Sequence, residues 1–178
     1  MYYLQMEKKA KTVKKEVVAK YKRPSWDEYF IELTKVVGSR GTCDRGRSGS
    51  IIIKDKRILA TGYVGAPAGL PSCDEVGHEM HTVTSEDGVV SKHCIRTAHA
   101  ESNAIVNAAR VGTAIKGATL YCQMTPCYAC AKIIINAGIE RVVVIKDYHA
   151  GDLTKKIFKQ AKIKFTIMNK EIEHYKNQ

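Results

Sequence analysis

Residues 118–145 read ATLYCQMTPCYACAKIIINAGIERVVVI and decide the fold. Ala118 to Met124 is a β-prone run, Pro126 stands where proline is favoured in a first helical turn, and Gly138 ends the helical run that follows. Val142 to Ile145 is typical of a strand buried on both faces. Strand, helix and strand in this order predict a βαβ unit with parallel strands and a right-handed crossover.

Further elements on both sides of this unit predict one α/β layered domain. A capping-box pattern starts at Ser25 and precedes apolar residues at helical spacing. The predicted elements are a helix from Ser25 to Gly38, a hairpin of Ser50–Ile53 and Arg57–Tyr63 turning at Lys54-Asp55-Lys56, a helix at 98–111 with Thr97 as N-cap, a helix near 152–162, and a strand near 163–168.

Residues 65–97 interrupt this pattern. They contain Pro67, Pro71 and several glycines and acidic residues, and show no helical or strand periodicity. We interpret them as a long irregular insertion, which in a compact domain usually needs a functional or stabilising reason.

The composition is that of one globular domain. The chain has 178 residues, 29 basic against 18 acidic residues, and 44% hydrophobic residues, which excludes a disordered or fibrous chain. No stretch approaches the roughly 18 apolar residues of a membrane span, and Tyr2-Tyr3-Leu4 is too short for the apolar part of a signal peptide. We therefore expect a cytoplasmic protein with no membrane partner.

The net charge of +11 is concentrated at the N-terminus. Residues 1–23 carry eight basic and two acidic side chains, which leaves a mildly basic body. A surplus of this kind suits an anionic ligand. We interpret residues 1–24 as a solvated basic leader rather than a nucleic-acid-binding segment, and residues 25–178 as a single domain.

Three metal-binding side chains stand at predicted helix starts. Cys127 and Cys130 are three residues apart, so on a helix their sulfurs share a face, and His99 can supply a third ligand from the preceding helix. Three protein ligands leave one position of a tetrahedral zinc open, which is typical of catalytic rather than structural sites. In a cytosolic chain cysteines stay as thiols, which also favours metal binding over disulfides.

Glu101 completes the constellation as a proton carrier. It lies too close in sequence to His99 to be a comfortable fourth ligand, yet in the first helical turn it can face the open position of the metal. The arrangement H-x-E followed by P-C-x-x-C is the signature of zinc deaminases. Taken alone, a histidine at this position is most often a helix cap, and a cysteine pair is most often part of the packed core. These structural roles do not explain why all four groups stand at helix N-termini.

The sequence resembles the deoxycytidylate (dCMP) deaminases of the zinc-dependent cytidine/deoxycytidylate deaminase superfamily over residues 25–168. Transfer-RNA adenosine deaminases and free-cytidine deaminases usually lack its insertion. The segments that carry the resemblance, besides the two zinc motifs, are Gly62-Tyr63-Val64-Gly65-Ala66-Pro67, Leu70-Pro71-Ser72-Cys73-Asp74-Glu75-Val76-Gly77, and His93-Cys94-Ile95-Arg96.

The resemblance implies a fold, a reaction and contacts. The fold is a three-layer α/β/α sandwich around a mixed five-stranded sheet, and the reaction is hydrolysis of dCMP to dUMP and ammonia for thymidylate synthesis. Glu101 would take a proton from water, pass it to N3 of the base and then protonate the departing amine. The implied contacts are the Ala100 N–H with the base carbonyl, backbone groups near Thr125 and Pro126 with the exocyclic amine, and Tyr148 and Arg45 with the phosphate.

A second cysteine cluster is interpreted as a structural zinc site. Cys43, Cys73 and Cys94 lie outside the catalytic motif, and His78 stands near where relatives commonly have another cysteine. A second zinc would give the insertion a fixed conformation, whereas the alternative is three buried thiols. His81 and His93 are alternative fourth ligands, and Cys122 is expected in the core.

The remaining expectations concern partners and alternatives. The resemblance implies a homo-oligomer, with a hexamer favoured, and places Arg110 at a boundary between its subunits. Val64 replaces the asparagine of the family's G-Y-N-G, which is tied to sugar binding and to a dCTP effector with magnesium, so regulation by dCTP or dTTP stays open.

Two other functions remain as alternatives. One is a deaminase of dCTP or of transfer-RNA adenosine, and the other is a zinc-stabilised nucleic-acid-binding module. With dCMP as substrate, no nucleic-acid partner is expected.

Overall fold

The computed structural model describes residues 21–84, 88, 90–169 and 171–173. The predicted basic leader therefore lies outside the described residues, apart from residues 21–24. In chain order the elements are α1 (Trp26–Gly38), β1 (Gly49–Lys54), β2 (Arg57–Tyr63), α2 (Cys73–Val76), β3 (Met80–Thr84), β4 (Val90–Cys94), α3 (Ala100–Arg110), β5 (Thr119–Met124), α4 (Tyr128–Asn136), β6 (Arg141–Tyr148), α5 (Asp152–Gln160), β7 (Lys164–Ile167) and β8 (Ile172–Glu173).

Five strands form a mixed sheet in the order β2-β1-β5-β6-β7, and β8 pairs with the end of β6. β1 is antiparallel to both β2 and β5, whereas β5, β6 and β7 are parallel. The β5-α4-β6 segment is the βαβ unit predicted from residues 118–145. The predicted hairpin is also confirmed, and both Asp55 and Lys56 at its turn have positive φ, 50° and 61°.

The sheet is covered on both faces, as a three-layer sandwich requires. Val143 packs with Phe30 and Ile31 of α1 on one face. Val142 and Val144 point to the opposite face, where they join a cluster with the buried side chains of α3, α4 and α5. The predicted fold is therefore confirmed, and Cys122 is fully buried in this second cluster as expected.

Two predicted helix starts are wrong. Thr97 does not cap α3, because the chain is still extended at the isolated bridge between Gly65 and Ala98, and His99 is the N-cap. Pro126 lies before α4 rather than in its first turn. Cys127 is the N-cap there, and its sulfur accepts a hydrogen bond from the Cys130 N–H at 3.5 Å.

The insertion is more regular than predicted. It contains α2, at whose start the Ser72 N–H donates to the Glu75 carboxylate at 2.7 Å, and an antiparallel pair formed by β3 and β4. Every residue of β3 is exposed, so this strand shows none of the apolar alternation by which a half-buried strand is recognised. Among the described residues, no helix combines the length and the apolar character of a membrane span.

A charged cluster attaches α1 to the sheet. The Asp27 carboxylate accepts two hydrogen bonds from the Arg141 guanidinium, at 2.8 and 2.6 Å, and one from the Tyr121 hydroxyl at 2.7 Å. The hydrogen bonds from Arg141 are the main reason that the pKa of Asp27 lies below its ordinary value of 3.8.

We expect Asp27→Asn to lower the free energy of unfolding by about 1.5–3 kcal/mol at neutral pH, the scale of a hydrogen bond to a charged group. Because the pKa of Asp27 is depressed in the folded state, its stabilisation is present above pH 3.8 and is lost as the pH falls through the folded-state pKa. Urea unfolding at neutral pH and at about pH 2–3 measures this. The same difference between the two proteins at both pH values would contradict the prediction.

Candidate active site and second metal cluster

His99, Cys127 and Cys130 converge at the N-termini of α3 and α4. The His99 Nδ1 lies 3.4 Å from the Cys127 sulfur and 3.5 Å from the Cys130 sulfur. A tetrahedral zinc with Zn–S bonds near 2.3 Å and Zn–N bonds of 2.0–2.1 Å would hold these atoms about 3.6 Å apart. The three donors therefore fit one zinc ion with a position left open.

The electrostatics of this cluster favour the metal-binding form of one donor, Cys127. The pKa of Cys127 is lowered to about 4, first by the hydrogen bond with Cys130 and then by that with His99. The hydrogen bonds with Cys127 raise the pKa of His99 to about 9 and also raise the pKa of Cys130, so these two donors release a proton when a metal binds. Thiolate is the form of cysteine that binds metal, and Cys127 reaches it without difficulty at neutral pH.

Close packing of α3 against β2 positions His99 at the cavity. A Cβ added at Gly62 would lie 2.2 Å from the Ala104 nitrogen and 2.3 Å from the Ala100 carbonyl oxygen, so only glycine permits this approach. The Asn103 side chain then donates to the Tyr63 carbonyl at 2.7 Å and bonds the helix to the strand. Both contacts hold the first turn of α3 against the end of β2.

Glu101 is a buried carboxyl group in that first turn, with 8% of its surface exposed. It does not belong to the group of converging metal donors, and it lines the same cavity as His99 and Cys127. Burial raises the pKa of Glu101 above its ordinary value. A carboxyl group with a raised pKa holds and releases a proton near neutral pH more readily than an exposed one.

A cavity of about 160 Å³ lies at the carboxyl ends of β5 and β6. Ligands of open α/β sheets typically bind at this edge. The residues that line it come from the core of the domain and from the insertion: Cys43, Arg45, Gly46, Ser48, Val64, His93, Cys94, Thr97, His99, Glu101, Met124, Thr125, Cys127 and Tyr148.

Four side chains form a second cluster beside this cavity: Cys43, Cys73, His78 and Cys94. The Cys43 sulfur lies 3.7 Å from His78 Nδ1, and the Cys73 and Cys94 sulfurs lie 3.5 Å apart. Tetrahedral zinc would place such pairs about 3.6 and 3.8 Å apart, so the four donors fit a closed structural site. They come from the loop after α1, from α2, from the loop after α2 and from the end of β4.

The two alternative histidines lie outside this cluster. His93 Nε2 is hydrogen-bonded to the Ser91 hydroxyl at 2.7 Å, and its ring faces the catalytic cavity. The His81 side chain is 57% exposed. His78 is instead supported by Asp44, whose carboxylate lies 2.9 Å from its Nε2. A carboxylate on the second ring nitrogen commonly orients a metal-binding histidine.

The structure brings most of the predicted substrate contacts to the cavity wall. Arg45, Val64, Thr125 and Tyr148 all line it, and Arg45 also donates to the Lys92 carbonyl at 3.4 Å. The other two predicted contacts are placed differently: Ala100 is buried at the first position of α3, and the Pro126 carbonyl accepts a hydrogen bond from the Thr154 hydroxyl at 2.9 Å. Arg110, which was predicted at a subunit boundary, is exposed at the far end of α3.

Comparison with known families agrees with this site. The model described as the cytidine and deoxycytidylate deaminase zinc-binding region matches residues 24–146. The chain belongs to the cytidine and deoxycytidylate deaminase family. The matched range contains both metal clusters and Glu101 of this deaminase.

Individual relatives resemble the deaminase over most of its length. A deoxycytidylate deaminase of Mycobacterium phage D29 is 38% identical over 70% of this chain and 98% of its own. ComE operon protein 2 of Bacillus subtilis is 37% identical over 78% of this chain and 69% of its own. The crystal structure of the dCMP deaminase from cyanophage S-TIM5 with dCMP and dUMP is 27% identical and superposes with a TM-score of 0.65, covering 86% of this chain and all of that one.

One residue beside the deaminase cavity was missed by the sequence analysis. Asp147 is not itself in the lining, but its carboxylate accepts hydrogen bonds from two residues that belong to it, Thr125 and Tyr148. A usable signal was present, because Asp147 follows the apolar run Val142 to Ile145 near the carboxyl end of a parallel strand and therefore stands at the ligand-binding edge of the sheet.

Proposed function

We propose that this chain is a dCMP deaminase that hydrolyses dCMP to dUMP and ammonia and supplies dUMP for thymidylate synthesis. The observation that carries the proposal is the buried Glu101 beside three converging zinc donors on the wall of one cavity. The deoxycytidylate deaminase name of several relatives supports the choice of substrate, as does the cyanophage enzyme that binds dCMP and dUMP.

The reaction needs a proton carrier and an activated water. Zinc at the His99 cluster would supply the Lewis acidity that lowers the pKa of water to about 7. Glu101 takes one proton of the attacking water and delivers it to N3 of the cytosine ring as the water oxygen bonds to C4. Glu101 then carries the second proton to the exocyclic amine, which leaves as ammonia when the C4–N bond breaks.

Other cavity residues bind the nucleotide in this proposal. The Ala100 N–H holds the base carbonyl, and the Thr125 carbonyl accepts from the exocyclic amine, since the Pro126 carbonyl already bonds to Thr154. Tyr148 and Arg45, both on the cavity wall, contact the phosphate. A hydroxyl and a guanidinium are groups that a nucleotide site requires and a nucleoside site does not.

We further propose two zinc ions per chain, one in each cluster, because both donor sets have tetrahedral spacing. We propose magnesium only as an ion that binds together with a nucleoside triphosphate effector. Arg110 is proposed at a subunit boundary of a homo-oligomer, in which a hexamer is favoured by resemblance.

The location and extent of the enzyme are also proposals. Six free cysteines, most of them in two metal-donor groups, require a reducing compartment, which supports the cytoplasm. Residues 25–178 are proposed as one domain and residues 1–24 as its leader. The family match starts at residue 24, which supports this division.

The substrate is tested by measuring ammonia release from cytidine, dCMP, dCTP and a transfer-RNA anticodon stem. We expect the highest kcat/KM for dCMP. A higher value for dCTP or for the anticodon stem would assign the chain to another deaminase class. Tight, salt-dependent RNA binding in a filter assay, without ammonia release from any substrate, would favour a nucleic-acid-binding module instead.

Val64 carries a prediction about regulation. Its side chain lines the cavity but can neither donate nor accept a hydrogen bond, so a sugar contact at this position is lost, at a cost of about 0.5–1.5 kcal/mol. We expect weaker discrimination at the sugar and weak or altered activation by dCTP, and we expect Val64→Asn to strengthen both. Titrating dCTP and dTTP against dCMP turnover in both proteins measures this. A sigmoidal dCMP curve that dCTP makes hyperbolic in the unmodified protein would contradict the prediction.

A further inference from the structure

The Asp147 carboxylate bonds to two residues of the cavity wall, at the ends of β5 and β6. Its Oδ1 accepts a hydrogen bond from the Thr125 hydroxyl at 2.7 Å and another from the Tyr148 N–H at 2.8 Å. Its Oδ2 accepts from the Lys155 ammonium at 2.8 Å. Thr125 and Tyr148 both line the cavity, whereas Lys155 belongs to α5 behind it.

This network is close-packed and mostly buried. Thr125 is 4% exposed and the Asp147 side chain 17%. A Cβ at Gly151 would lie 3.0 Å from the Thr125 methyl group and 3.1 Å from Asp147 Oδ1, so the chain also fills the space behind the carboxylate. Movement of the carboxylate away from Thr125 is therefore restricted.

The charge on Asp147 is maintained by its partners. Burial alone would raise the pKa of this carboxyl group, but the hydrogen bonds from Lys155, Thr125 and the Tyr148 N–H outweigh burial and lower it. The group therefore stays ionised and keeps both oxygens as acceptors.

The network connects the end of β5 to the end of β6 at the cavity. Thr125 connects β5 to α4, whose N-cap Cys127 is a metal donor, and Tyr148 is the last residue of β6. Beyond the paired strands, the Thr125 N–H bonds to the Lys146 carbonyl at 3.2 Å. The Asp147 carboxylate adds a side-chain connection that includes both cavity residues.

We propose that Asp147 is a positioning residue that fixes Thr125 relative to Tyr148 on the cavity wall and thereby sets the affinity for the nucleotide. The proposal rests on the proposed function, since Thr125 is placed at the base and Tyr148 at the phosphate. Asp147 acts through these two residues and does not touch the reacting atoms. Loss of the network should therefore appear in the KM for the nucleotide.

The test compares three variants by steady-state kinetics, zinc content and thermal unfolding. In Asp147→Ala the KM for dCMP should rise about tenfold or more, with kcat and zinc content changed much less. Asp147→Asn keeps an acceptor oxygen for Thr125 and Tyr148, so most of the affinity should return. Lys155→Met keeps the carboxylate and removes its cation, and should raise KM in the same direction by a smaller factor.

Asp27→Ala is the matched control. Asp27 also accepts from a hydroxyl and from a cation, but it joins α1 to the sheet and does not line the cavity. It should lose stability without a change in KM. If Asp147→Ala, or Lys155→Met where the alanine variant does not fold, loses stability with an unchanged KM as this control does, the positioning role is refuted.

Failure of the proposed function gives a different result. The KM comparison uses whichever nucleotide substrate the unmodified chain deaminates, so another best substrate refutes the dCMP assignment while the Asp147 variants still report on positioning. A chain that releases ammonia from none of the four substrates refutes both.

Discussion

Glu101→Gln is expected to lower the turnover of dCMP by at least about two orders of magnitude, the lower end of the usual contribution of general acid–base catalysis. Glutamine has nearly the same shape and keeps one acceptor oxygen, but it cannot take up and release a proton. Since Glu101 is separate from the converging metal donors, the variant should keep its full zinc content. Measurements of kcat and elemental analysis on the same sample check both parts.

Glu32→Gln is the control for this substitution. Glu32 lies on α1, pairs with Lys35 at the surface and is absent from the cavity lining, so its loss should leave kcat unchanged. Turnover in Glu101→Gln close to that of the unmodified enzyme would refute the mechanism. A variant that lost zinc together with activity would show that Glu101 serves the metal rather than the proton.

The second large effect concerns the two clusters, which should respond differently to loss of a ligand. Cys127→Ser is expected to abolish turnover and lower the zinc content from two ions per chain to one, with a modest loss of stability. Cys73→Ser should also lower the zinc content to one but should chiefly reduce stability. A site saturated a thousandfold above its Kd stabilises by about 4 kcal/mol, or about 8–16 °C in Tm for a chain of this size.

Cys73 is the best member of the second cluster for this experiment. Cys43 and Cys94 also line the catalytic cavity, so their replacement would change stability and substrate binding together. Cys122→Ala is the matched control, since Cys122 is a buried cysteine of β5 outside both clusters and its loss should leave two zinc ions per chain. One zinc ion per chain in the unmodified protein, unchanged in Cys94→Ser, would reject the structural site.

Those parts of the fold that depend on local sequence were predictable. The run from Val142 to Val144 faces both layers of the sandwich, so it is apolar at every position and reads directly as a central strand. The convergence of His99, Cys127 and Cys130 was equally accessible, because each stands next to a helix start and their residue types are rare in this combination.

The remaining features depend on packing between distant segments. The choice of His78 over His81 and His93 is made by the path of the insertion, which spacing alone does not specify. Thr97 has the chemistry of an N-cap, but pairing of Ala98 with Gly65 holds the chain extended for two more residues. The position of Asp147 is visible in the sequence, but its hydrogen bond with Lys155 depends on the packing of α5 against β6.

The cavity wall combines residues of the core with residues of the insertion. His93 and Cys94 of β4 face the same space as Glu101, and the Arg45 side chain bonds to the backbone of that strand. Neither core cluster contains a residue of the insertion, whereas three donors of the second cluster belong to it. We therefore expect a chain starved of metal to keep a complete core but to leave one side of its cavity open to water.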